Sequence, residues 1–114
     1  MTDTAPPIAP DKRKAVRQRV LFRGRLVHSP GMMTTNCSIQ SISKTGARVK
    51  VSGMEPISGP VYLVDMAHGL AFGATIRWRR EDRMGLAFTS YHDLSRPDSA
   101  APTLVRRLWL DYQL

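Results

Sequence analysis

Residues 70–79 alternate strictly, with Leu70, Phe72, Ala74, Ile76 and Trp78 on one side and Ala71, Gly73, Thr75, Arg77 and Arg79 on the other. A period of two held over about ten residues is that of a half-buried β-strand, because a helix would scatter both sets around its circumference. Glu81 and Asp82 then supply a turn, and Met84, Leu86 and Phe88 resume the period, so the segment predicts a hairpin.

Similar pieces make up most of the chain. Residues 19–29 hold Val20, Leu21, Phe22, Leu26 and Val27, with Gly24 offering a bulge or bend, and Ser29, Pro30 and Gly31 form a turn. Residues 34–42 place Cys37 and Ile39 on one face and Asn36, Ser38 and Gln40 on the other. After a polar turn ending at Gly46, Ala47, Val49 and Val51 mark a third strand. A loop rich in Gly and Pro covers 52–60, and 61–66 is a short fourth strand. Six short strands joined by turns predict an antiparallel sandwich or a small barrel, in which closure removes the exposed edges. Past Pro97 the period changes. Leu104, Val105, Leu108, Trp109 and Tyr112 recur at helical spacing, which predicts an amphipathic helix over about 102–112, packed on the sheet or on a partner. Trp78 and Trp109 are expected in the core, and Arg77, Arg79, Arg80 and Arg83 on an exposed rim.

At 114 residues and 12.8 kDa, the chain forms one domain over 11–114, preceded by a flexible tail at 1–10 that holds Pro6, Pro7 and Pro10. Hydrophobic residues at 42% suffice for a modest core. No apolar stretch approaches the roughly 20 residues that span a bilayer, so no membrane insertion and a cytoplasmic location are expected. Cys37 is the single cysteine, which excludes a disulfide or a cysteine zinc site within the chain and suits a small buried residue. His28, His68 and His92 show no ligand spacing, so no metal site is expected. No base lies near Ser41 or Ser43 in sequence, and catalysis is not expected. Seventeen Lys and Arg against nine Asp and Glu give +8, a field that attracts phosphate-bearing ligands or polyanions. Much of that charge sits early, at Lys12, Arg13, Lys14, Arg17, Arg19, Arg23 and Arg25.

Two local features stand apart. Arg13-Lys14-Ala15-Val16-Arg17 spaces two arginines four apart before the first strand, and Ser41-Ile42-Ser43-Lys44-Thr45-Gly46 forms the turn between the second and third. Antiparallel pairing of 19–29 with 34–42 returns the chain to its starting end, so both features fall on one side of the sheet. Together they resemble the PilZ domain, a bacterial receptor for cyclic di-GMP with an R-x-x-x-R arm and a D/N-x-S-x-x-G turn. Gly46-Ala47-Arg48-Val49, Ala74-Thr75-Ile76-Arg77-Trp78-Arg79 and Met84-Gly85-Leu86-Ala87-Phe88 are similar to later family strands, so the resemblance covers roughly 12–112.

The resemblance implies an all-β fold, a six-stranded antiparallel PilZ-type barrel with a C-terminal helix and a flexible N-terminal arm. It implies cyclic di-GMP as ligand, bound by Arg13, Arg17, Ser41, Ser43 and Gly46, with no cofactor. It also implies a protein partner that carries the signal to motility, attachment or exopolysaccharide control. The chemistry agrees, since a guanidinium can clamp phosphate oxygens, bridge guanine O6 and N7 or stack on a purine. Gly46 is expected to provide positive φ or close ligand approach, and Ser43 a hydroxyl donor. Ser41 stands where the family has Asp or Asn. Its single hydroxyl cannot make a two-pronged contact with a guanine edge, which predicts about five- to hundredfold weaker binding. The alternative is a PilZ-like adaptor that has lost the nucleotide. A nucleic-acid-binding barrel ranks last, because interleaved aromatics are sparse.

Overall fold

The computed structural model describes residues 18–28, 33–53, 56–96 and 98–113, with the backbone alone at 18–20. The tail at 1–10, Arg13, Arg17 and the expected turn at 29–31 lie outside the described residues. Six strands and a helix follow in order: β1 (Gln18–His28), β2 (Met33–Ile42), β3 (Gly46–Val51), β4 (Pro60–Asp65), β5 (Leu70–Arg80), β6 (Arg83–Asp93) and α1 (Thr103–Tyr112). Every pairing is antiparallel, and the order β1-β2-β3-β6-β5-β4 closes into a barrel because β4 pairs back onto β1. The expected barrel and C-terminal helix are both present.

Alternation explains the inner core. Leu26, Ile39, Val49, Leu63, Met84 and Leu86 project inward and are buried. Each such side chain contributes about 1.5–3 kcal/mol on leaving water. A second core lies outside the barrel wall, where Val27, Val64 and Ala71 meet Met66, Leu94 and, from α1, Val105, Leu108 and Trp109. The wall is therefore covered on both faces at this place. This accounts for the loss of alternation in β4, which runs Leu63, Val64 and Asp65 all buried.

The helix touches the barrel through a narrower stripe than the sequence suggests. Val105 is its one buried residue among those described, while Leu104 and Tyr112 are exposed. Trp109, expected in the core, is partly buried and packs against the second core. Its indole lies over Gly69 (φ 69°), where a Cβ would stand 2.6 Å from the ring, so both the backbone conformation and the ring require glycine.

Two expectations are corrected. Trp78 is 43% exposed instead of buried. The register of β5 against β6 shifts between Ile76 and Trp78, since Ile76 pairs with Leu86 and Trp78 with Gly85. The unpaired Arg77 is a bulge that turns the following side chains to the opposite face. In β1 the irregularity falls between Arg19 and Phe22, not at Gly24. Cys37 is buried as expected, and desolvation pushes its thiol up to about 12. No helix among the described residues is long and apolar enough to cross a membrane.

Candidate functional site

The β2–β3 turn is built by short-range hydrogen bonds. The Ser43 amide donates to the Gly46 carbonyl at 2.8 Å, and the Ser43 hydroxyl reaches the same oxygen at 3.4 Å. The Thr45 amide donates to Ser43 Oγ at 3.2 Å. Serine is suited to this position because a hydroxyl can accept from an amide two residues on while donating elsewhere. The Phe88 amide donates to the Thr45 carbonyl at 2.8 Å, which fastens the turn to β6.

Gly46 plays a different part from the one expected. It is not among the positive-φ residues, and a Cβ on it would collide with the Leu86 carbonyl of β6. Its lack of a side chain lets β3 lie against β6 at the Gly46–Ala87 pair. The space beside its Cα is taken by protein backbone.

Ser41 occupies the junction of three strands. It pairs with Arg19 of β1 on one side and Arg48 of β3 on the other, the latter just past a register shift between Ile39 and Ser41. Its side chain is 7% exposed, and its hydroxyl oxygen is buried with no hydrogen-bond partner among the described residues. A buried hydroxyl without a partner costs about 1–3 kcal/mol. Gln18 pairs with Ile42, and Arg17 is covalently bonded to Gln18. The chain that carries the two expected arginines thus joins the sheet beside the turn.

Ser41, Ser43 and Gly46 are therefore brought together at one end of the barrel, while Arg13 and Arg17 lie outside the described residues. A cleft of about 760 Å³ opens beside the turn, lined by Ser43 and Lys44 with Phe88 and Tyr91 among its walls. Phe88 stacks on Phe72 with centroids 4.3 Å apart, and Tyr91 is 60% exposed. Sequence reasoning missed Arg48 as a site neighbour. It is exposed and shares a cross-strand line with Ser41, Gly85 and Trp78. The alternation in β3 marks Arg48 as outward, but only the register aligns it with Ser41.

The three histidines serve separate local contacts. His28 Nε2 meets Thr35 Oγ1 at 2.9 Å, His68 Nδ1 meets the buried Asp65 carboxylate at 2.9 Å, and His92 Nε2 meets Ser90 Oγ at 3.2 Å.

The structure is a small closed antiparallel barrel whose first strand begins beside the serine-bearing β2–β3 turn. The sequence model of the PilZ domain matches residues 11–97, and the chain belongs to the PilZ domain family. PilZ domains are typically non-enzymatic, a family of cyclic di-GMP-binding receptors and adaptors. No curated protein matches the chain by sequence.

Proposed function

We propose that this chain is a non-enzymatic cyclic di-GMP receptor that binds the nucleotide through Arg13, Arg17, Ser41, Ser43 and Gly46 and signals through a protein partner. The observation that carries this reading is the Ser41 hydroxyl, buried, unpartnered and one residue from the Gln18–Ile42 pair where the arginine-bearing chain joins the sheet. A ligand guanine or phosphate oxygen would reach that hydroxyl once the groups covering it at β2 move aside. Arg13 and Arg17 would supply the charge, each with a fork suited to phosphate oxygens or the guanine O6 and N7 edge. Gly46 acts through the backbone, holding the turn tight on β6 so that Ser43 keeps its place. Binding orders the arm against the barrel and alters the surface offered to the partner, within the limit set by differential affinity. The setting is the bacterial cytoplasm, and the output is motility, attachment or exopolysaccharide control.

Calorimetric titration with cyclic di-GMP of the wild type and an Arg13→Ala/Arg17→Ala variant tests the reading. Binding heat in the wild type that is lost in the variant supports it, and equal heats from both defeat it. One observation favours the adaptor reading: the turn's hydrogen bonds close on themselves, so it stands without a ligand. No heat from the wild type would select that alternative.

A further inference from the structure

The outer face of the barrel carries a feature that nucleotide binding leaves unused. Arg23 pairs with Ser38, Ser38 with Lys50, Lys50 with Arg83, and Arg83 with Arg80. Five strands thus contribute one residue each to a single line. Directly paired residues project to the same side of a sheet. Arg23, Lys50, Arg83 and Arg80 are all exposed. At about 4.8 Å per strand the line runs roughly 19 Å.

Two of its pairs, Lys50–Arg83 and Arg83–Arg80, set like charge directly opposite like charge, an arrangement that weakens a sheet. Neutralisation is partial. Asp82 stands 3.9 Å from Lys50 across an exposed gap, where screening leaves little attraction. At the β1 end, Arg23, Arg25 and Lys50 line a cleft of about 930 Å³ together with Asn36 and Ser38. A line of opposed cations that costs the free protein stability is best explained by an anionic occupant.

We infer that this line is the docking surface for an acidic segment of a partner protein. The inference rests on the reading that the chain acts through a partner, and it does not depend on the nucleotide. Closure of the barrel leaves none of the six strands with a free edge, so a partner cannot dock by adding a strand and must engage side chains. Guanidinium forks donate two parallel hydrogen bonds to a carboxylate. An extended segment of about six residues spans the line and presents alternate side chains about 7 Å apart. A nucleic-acid strand would also need aromatic platforms on which to stack its bases. None of the five residues is aromatic. Exposed Trp78 lies on the adjacent partner line against Gly85, and Tyr112 at the β1 end has Arg23 over its ring at 5.9 Å from the centroid, so two rings flank the line and the oligothymidylate arm of the test decides against this alternative.

The test uses fluorescence anisotropy with a labelled oligoglutamate peptide and, separately, a labelled oligothymidylate. Three proteins are compared: wild type, Arg80→Gln/Arg83→Gln, and Arg96→Gln/Arg107→Gln, which loses the same charge away from the line. The expected result is peptide binding weakened about tenfold or more by the first variant and less than about threefold by the second. Relief of the opposed charges should leave the Tm of Arg80→Gln/Arg83→Gln unchanged or raise it. Absence of peptide binding to the wild type, equal weakening in both variants, or dependence on the line for the oligothymidylate alone overturns the inference. Nucleotide heats measured on the same proteins keep its failure distinct from failure of the receptor reading.

Discussion

Replacing Gly46 with alanine separates two roles for the turn glycine. The new methyl group would point at the Leu86 carbonyl of β6, a backbone atom that cannot rotate aside. Ordinary contact would require the Gly46–Ala87 pair to open by roughly 1 Å, against a normal strand spacing of about 4.8 Å. The adjoining hydrogen bond from the Phe88 amide to the Thr45 carbonyl, 2.8 Å long, would not survive that opening. Overpacking costs about 1–3 kcal/mol and the lost bond about 1 kcal/mol, so the variant should be less stable by about 2–4 kcal/mol. At about 4 °C per kcal/mol for a domain of this size, Tm should fall by roughly 8–16 °C. Thermal unfolding followed by circular dichroism without ligand measures the effect. A variant that melts like the wild type yet no longer binds cyclic di-GMP would refute the reasoning and return Gly46 to the role of a ligand-facing residue.

Ser41→Ala removes a buried hydroxyl that has no partner among the described residues. The free variant should therefore be as stable as the wild type or gain about 1 kcal/mol, roughly 4 °C in Tm, while cyclic di-GMP binds about three- to tenfold more weakly. Loss of stability without change in affinity would contradict this. Cys37, with its thiol pushed from 9.0 to about 12, should resist alkylation at pH 8 in the native state and react once denatured, as read by mass spectrometry. Because the unfolded chain sheds this proton first, the protein should also lose stability as pH rises between about 9 and 12. Trp109→Ala should empty the space between α1 and Gly69 and cost about 3 kcal/mol in denaturant titrations. A change under about 1 kcal/mol would mean that α1 is not held by that contact.

The alternation of apolar and polar residues determined β2, β3 and the hairpin between β5 and β6, because side-chain direction along a strand is a local property, while strand-favouring residues and the flanking turn signals marked β1 and β4. The change of period after Pro97 determined the helix for the same reason. The turn was legible too, since Ser43, Thr45 and Gly46 carry its hydrogen bonds, but it is shorter than the expected Ser41–Gly46 because Ser41 and Ile42 continue β2. Tertiary structure decided what depends on a second strand. The bulge at Arg77 turns Trp78 outward, a result that no pattern within β5 contains because it arises from register against β6. The partner lines that join Ser41 to Arg48 and Lys50 to Arg83 come from long-range pairing, as does the backbone contact that requires glycine at position 46. Burial of β4 on both faces follows from where α1 lands, and a helix's own sequence specifies which stripe is apolar but not which wall receives it.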